Sequence, residues 1–277
     1  MRTLLQRISY DINDGHLIRI VCISDAHLGH INYSEKHLKA FLKENLSQPN
    51  TWLITLGDML ECVVPADMRR YQASQLVTSS EDPDAYLDYQ TEELVKVLQP
   101  YTESGQLLGM ALGNHELAII KRYGHNPHRR VCDALNCEDL GYSFLMRLMC
   151  QTATSSHTHS VVIYASHGWG GNSRTAGGNL TKFSRALESY WADIYLFGHS
   201  HDYVSRQIPR IYVDRKGKVQ HRPALIANVG TFKKTLSKGV IPSWEESMGF
   251  PPRSLGGIVV KIQMDPSKRE RPTIKVE

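Results

Sequence analysis

The sequence predicts an α/β fold with an antiparallel, α+β-type finish. Five short hydrophobic strands spread over residues 20–201 each run into small residues and then into polar ones, and a helical apolar stripe separates the first two. Beyond residue 202 the pattern switches to the period-two alternation of half-buried strands. At 277 residues the chain fits one large domain, 1–277, long enough to bury a sizeable core.

Residues 16–24 read as a buried strand because apolar and β-branched residues dominate and a polar turn follows. A helix over 34–46 comes next, with Ser34 placed to cap it and Leu38, Phe41, Leu42 and Leu46 recurring at helical spacing. A second strand ends at Asp58. Strand, helix, strand predicts a parallel crossover, with functional groups at the carboxyl ends of the strands. Residues 62–105 read as an inserted helical excursion, since Tyr86, Leu87, Leu94, Val95 and Leu98 stripe one face and six acids lie between Glu81 and Glu93. A lid over the site and a solvated surface helix explain that segment equally well.

Residues 121–130 carry Lys121, Arg122, Arg129 and Arg130 with His125 and His128 and no acid; they suit either phosphate groups or the polar start of a helix that Pro127 begins. Residues 168–180 contain five glycines together with Asn172, Ser173, Arg174 and Asn179, and precede a helix striped by Phe183, Ala186, Leu187 and Tyr190. Glycines let backbone amides approach an oxyanion, but the ending of a P-loop is missing. Runs at 203–213, 219–229 and 257–264 predict hairpin-rich strands, the first two joined by a turn from Asp214 to Gly217, and the charged, proline-punctuated tail from about 265 is expected to fray.

A composition of 41% hydrophobic and 22% charged residues is that of a globular protein and excludes a disordered class. The net charge of +4 gives little support to a polyanionic partner. No apolar stretch approaches membrane-spanning length and no signal-type h-region opens the chain, so a soluble, cytoplasmic protein without a membrane partner is expected. The five cysteines form an odd set without C-x-x-C spacing, which predicts reduced thiols. Nothing in the sequence bears on oligomeric state.

The strand ends deliver, in order, Asp25-x-His27, Gly57-Asp58, Gly113-Asn114-His115-Glu116, Ser166-His167-Gly168 and Gly198-His199-x-His201. Alternate residues of extended chain point to one side, so His199 and His201 can face a single site. Each piece alone is common. All five, in this order and each after a strand, resemble the calcineurin-like metallophosphoesterase family over about residues 17–232. The resemblance implies a four-layer sandwich, two central mixed β-sheets flanked by helices, with a two-metal site working through a bridging hydroxide. It further implies that Asp25, His27 and His201 bind a first metal, that Asn114, His167 and His199 bind a second, that Asp58 bridges them, and that His115 stands beside the leaving group. In the phosphoprotein-phosphatase branch an acid three positions after the bridging Asp orients this histidine, and Glu61 falls at that spacing. That branch has an arginine after the acid where this chain has Cys62, which argues against protein phosphatase activity.

The chemistry explains the residue types independently. Two divalent cations about 3.5–4 Å apart clamp a phosphoryl group and lower the pKa of a bound water. Carboxylate, amide and imidazole donors without thiolate suit Mn first, with Fe, Zn or Ni as alternatives. His115 suits general-acid work on the leaving alkoxide. The expected activity is hydrolysis of phosphate mono- or diesters, the partner being the phosphate-ester substrate, with Arg129, Arg130, Asn172 and Arg174 as candidate substrate contacts. A nuclease resembling double-strand-break repair nucleases is the alternative, favoured by the basic clusters at 121–130 and 206–222 and disfavoured by the low net charge. A metal-free scaffold is the third reading, opposed by the intact ligand positions.

Overall fold

The computed structural model describes residues 1–68, 70–77, 83–152, 158–173, 175, 177–236, 242–264 and 272–277. In chain order the elements are β1 (Arg2–Tyr10), β2 (Leu17–Ile23), α1 (Glu35–Leu46), β3 (Thr51–Leu56), α2 (Pro83–Glu103), β4 (Leu107–Ala111), α3 (Asn114–Tyr123), α4 (Pro127–Ala134), β5 (Asp139–Gly141), β6 (Ser143–Thr152) and β7 (Thr158–Ser166). They continue as α5 (Gly178–Phe183), α6 (Ala186–Ser189), β8 (Ile194–Phe197), β9 (Tyr203–Ile208), β10 (Ile211–Val213), β11 (Val219–His221), β12 (Ala224–Val229), α7 (Trp244–Ser247), β13 (Ile258–Gln263) and β14 (Thr273–Val276).

Two six-stranded mixed sheets, ordered β14-β13-β2-β3-β4-β5 and β1-β6-β7-β8-β12-β9, form the centre, and β10 and β11 make a separate two-stranded pair. Alternate residues of the facing strands, among them Ile18, Ile20, Cys22, Ile54 and Leu56 from one sheet and Met146, Leu148, Ile163 and Leu196 from the other, fill the space between the sheets. The opposite face of the first sheet packs Val21, Ile23 and Leu53 against Leu38 and Leu42 of α1 and Leu87, Leu94 and Leu98 of α2. The opposite face of the second packs Tyr164, Tyr195 and Phe197 against Leu180 and Phe183 of α5. Four layers result, helix, sheet, sheet, helix.

Five points differ from expectation. The helix within 62–105 is the crossover between the parallel neighbours β3 and β4: its apolar face is buried in the core, and acids such as Asp84 and Glu92 on its other face are exposed. The tail does not simply fray, because β14 pairs along β13 from Thr273 to Val276. Strands β1 and β6, which pair in parallel over nine residues, were not foreseen. The alternation of β6, with Phe144, Met146, Leu148 and Cys150 buried, is carried by leucine and methionine as much as by β-branched residues and is easily read as helix. The stripe after the glycine-rich loop forms two short helices, α5 and α6, rather than one. Ser34 does stand at the start of α1, but its hydroxyl meets His37 Nδ1 at 2.7 Å instead of capping the backbone. Among the described residues no helix is long and apolar enough to cross a membrane.

Candidate metal centre

The carboxyl ends of β2, β3, β4, β7 and β8 come together, each followed by a short polar turn. The turns are tied to one another through backbone: Asp25 N–H donates to Gly57 O and His27 N–H to Asp58 O, both at 3.0 Å. Glycines allow this closeness. A Cβ on Gly113 would lie 2.1 Å from both the backbone nitrogen and Oδ1 of Asp58, so no larger residue fits between the turns after β3 and β4. Asp25, His27, Asp58, His199 and His201 all have positive φ, between 48° and 67°, in the left-handed region that non-glycine residues rarely adopt.

Three groups of donor atoms lie within 4.8 Å of one another: Asp25, His27 and His201; His27, Asp58 and His115; and Asp58, His167 and His199. Asn114 Oδ1 lies 3.0 Å from His167 Nε2. The two histidines that share the turn after β8 therefore divide between different groups, and they do so from left-handed turn positions, not as alternate residues of an extended strand.

The hydrogen bonds decide which nitrogens face inward. His27 Nδ1 donates to Glu61 Oε2 at 2.7 Å, which leaves Nε2 as the lone-pair nitrogen. That atom faces His201 Nε2 at 3.1 Å and Asp25 Oδ1 at 3.8 Å. His167 Nδ1 donates to Leu56 O at 2.7 Å, so its Nε2 faces Asp58 Oδ2 at 3.3 Å. His199 Nε2 donates to Gly170 O at 2.8 Å, which leaves Nδ1 for the site. Asp25 Oδ1 is buried and makes no hydrogen bond, while its Oδ2 accepts from Ser24 Oγ and from His199 N. Asp25 Oδ1 lies 3.2 Å from His201 Nε2 and 3.8 Å from His27 Nε2, and this set of carboxylate oxygen and imidazole nitrogens suits a divalent metal. Burial disfavours a charge on His167, but the adjacent Asp58 carboxylate outweighs it and holds the imidazole pKa up at about 10. A proton is then the counter-charge that a metal ion would replace.

The Glu61 expectation needs correction. Its carboxylate orients His27, and it is the backbone carbonyl of Glu61 that receives the His115 Nδ1–H, at 2.5 Å. The His115 ring stands edge-on to His27, with centroids 4.7 Å apart, and its Nε2 lies 3.9 Å from Asp58 Oδ2. The role of Glu116 was missed altogether. Buried at the start of α3, its carboxylate accepts from the backbone N–H groups of Asp58, Leu60 and Gly113 at 3.2, 3.0 and 3.1 Å. The signal was the acidic fourth residue of Gly-Asn-His-Glu, at the N3 position where a helix reaches back to its own cap.

The site floors a cavity of roughly 900 Å³. Asn172 lines it, as expected. Arg129 and Arg130 do not: they lie exposed on α4, paired with Asp133 and Asp88, because α4 packs against α2 and presents them outward. Arg174 lies outside the described residues. The cations that do line the cavity are Arg70, Lys233 and Arg253, beside the aromatic rings of Trp169, Trp244 and Phe250.

The family model for calcineurin-like phosphoesterases matches residues 18–203. The chain belongs to this family. A comparison with curated proteins found no match. Among solved structures, the chain is similar to the Haemophilus influenzae NAD nucleotidase NadN at 10% identity and a TM-score of 0.42, covering 94% of this chain and 49% of that one. It thus spans about half the length of that protein. It is also similar to a metallophosphoesterase from Sphaerobacter thermophilus (12% identity, TM-score 0.36, covering 89% and 83%) and to Vps29 of Chaetomium thermophilum (15%, 0.31, covering 94% and 96%).

Proposed function

We propose that the protein is a binuclear metal-dependent phosphoesterase acting on small phosphate esters. The observation that carries this reading is the place of Asp58, which belongs to one donor group with His27 and His115 and to another with His167 and His199. A carboxylate is the side chain that can serve two cations at once, and Asp58 is held for that task by the His115 N–H on its Oδ1 at 2.8 Å. Asp25, His27 and His201 complete one side; Asn114, His167 and His199 complete the other. When bound, a pair of divalent ions, manganese first, supplies Lewis-acid polarisation of the phosphoryl group and a hydroxide at neutral pH.

The chain's own residues do the rest. Glu61 and the Leu56 carbonyl fix the tautomers of His27 and His167. The Glu61 carbonyl fixes His115 Nδ1, so that Nε2 is the atom presented to the cavity, where as imidazolium it delivers a proton to the leaving alkoxide. The nuclease reading draws less from these clusters than their charge suggests: Arg129 and Arg130 lie away from the cavity, paired with Asp133 and Asp88, and Arg210 and Arg222 stack on Trp191. The test is a manganese-supplemented comparison of chromogenic mono- and diesters alongside labelled single- and double-stranded DNA. Ester cleavage that a chelator abolishes, with DNA left intact, is the expected result. Absence of ester cleavage with Mn, Fe, Zn and Ni alike would overturn the reading, and metal-dependent DNA cleavage would replace it with the nuclease.

A further inference from the structure

Lys233 lies just beyond β12, a strand end that the five-motif pattern does not include. Its loop is tied to the first ligand turn: Thr231 Oγ1 and Phe232 N–H donate to Asp25 O at 2.7 and 3.2 Å, and Lys233 N–H donates to Thr231 Oγ1 at 3.0 Å. The side chain is nearly buried, at 8% exposure, and lines the cavity with His27, His115 and His201. Its ammonium meets Glu245 Oε1 at 2.9 Å. Among the described residues that is its single acceptor, although an ammonium has three N–H groups to place. Glu245 also lines the cavity, and its second oxygen, Oε2, is buried without a hydrogen bond.

A buried ion pair is a poor way to stabilise a loop, since an apolar pair of similar size does so without the desolvation cost. This pair is also incomplete on both partners and opens onto the site. An ammonium with one acceptor among the described residues, lining the cavity beside the donor groups, has N–H groups to offer an oxyanion. We propose that Lys233, held by Glu245, binds a terminal oxygen of the substrate phosphate, and that this makes the enzyme a phosphomonoesterase in preference to a diesterase. A monoester dianion offers a third charged oxygen, whereas a diester carries an ester group in its place. The inference rests on the phosphoesterase reading above.

The test uses the manganese-loaded protein, Lys233→Met, and Lys233→Met with Glu245→Gln, the double variant leaving no buried carboxylate unpaired. Bound metal per chain and thermal midpoint are measured first, then the affinity for inorganic phosphate by calorimetry, then kcat/KM for p-nitrophenyl phosphate and bis(p-nitrophenyl) phosphate. Both variants are expected to keep their metal and to bind phosphate about 10-fold or more weakly, the usual loss for a charge-assisted hydrogen bond, with the monoester losing far more than the diester. Unchanged phosphate affinity in the double variant, or equal losses on the two esters, would overturn the Lys233 subsite while leaving the phosphoesterase in place. A metal-loaded wild-type protein that neither binds phosphate nor cleaves either ester would overturn both.

Discussion

Glu116 offers the sharpest test of how the centre is built. Its carboxylate takes the backbone N–H groups of Asp58 and Leu60 from the turn after β3 and of Gly113 from the turn after β4, and it is 1% exposed. Replacing it with alanine leaves these donors buried without partners. At about 1.5–3 kcal/mol for each hydrogen bond to a charged group, and with incomplete additivity, Glu116→Ala should cost about 3–6 kcal/mol. For a chain of this size that lowers the thermal midpoint by about 5–10 °C. Glu116→Gln keeps one amide oxygen with two lone pairs and should cost about 1–2 kcal/mol, the less so because burial, and then the Asp58 charge, already raise the pKa of Glu116 and disfavour its ionised form. The assay is thermal unfolding of the chelator-treated protein and of the manganese-loaded protein in parallel. The loss should be present without metal, and the variant should also need more manganese for half-saturation, because Asp58 and Asn114 ride on the turns that Glu116 clamps. A midpoint within about 2 °C of wild type in the metal-free protein would refute the clamp.

Three further outcomes are expected. Asp58→Asn should abolish ester hydrolysis and reduce bound metal, measured by elemental analysis, because the shared carboxylate is lost; a variant retaining wild-type metal content and turnover would contradict the assignment. His115→Ala should keep its metal while kcat falls by about 10²-fold or more, with the deficit growing as the leaving group becomes poorer; a deficit independent of the leaving group would leave charge stabilisation as its role. His30 is held well below the ordinary histidine value, at about 3, by burial and then by the charge of Lys233, and its Nδ1 accepts the Asn32 N–H at 3.0 Å. The unfolded chain therefore binds a proton that the folded one refuses, so this contribution is complete above about pH 6.5 and is lost as the pH falls toward 3, amounting to about 2 kcal/mol at pH 5. Urea unfolding of His30→Gln should show a correspondingly flatter dependence between pH 7 and pH 5; an identical slope would exclude the effect.

What was legible in the sequence was what local chemistry prints locally. The strands ending at Ile23, Leu56, Ala111, Ser166 and Phe197 announce themselves by apolar, β-branched residues followed by small ones, and the polar residues behind them fall into the same turns in the structure. The crossover helix α2 was visible as a stripe, but its role was not: a stripe gives a face and leaves open what covers it, and here the face meets β3, β4 and α1. Likewise Arg130 read as an unpaired charge because its partner lies elsewhere, Asp88 being 42 positions away on α2, while Asp133, the partner of Arg129, stands just past the basic run. Lys233 was hidden for the opposite reason. One lysine beside another at 233 and 234 carries no pattern, and only the return of β12 beside β8 brings the first of them to the cavity.

The backbone of the centre was the least readable layer, and it explains why the scaffold around it is so heavily tied. Five of the presumed ligands occupy left-handed conformations, each costing of order 1–2 kcal/mol for an L-residue, with Asp and His among the side chains that tolerate the region best. Glycine would relieve the strain and remove the donor atom, so the positions cannot relax. The strain persists because the turns are over-determined by long-range bonds: Asp25 to Gly57, His27 to Asp58, His199 N–H to Asp25 Oδ2, and Glu116 to three amides. Neighbouring glycines contribute in a different way, Gly113 and Gly198 admitting the adjacent turn where a Cβ would stand 2.1 Å from Asp58 or Ser24. Donor atoms are thus fixed before any ion arrives, with imidazole lone pairs and carboxylate oxygens aimed at common points at an electrostatic cost that a proton on His167 only partly offsets. A cation bound by such a site would stabilise the fold by mass action, so on the phosphoesterase proposal stability and catalytic competence should rise together with metal concentration.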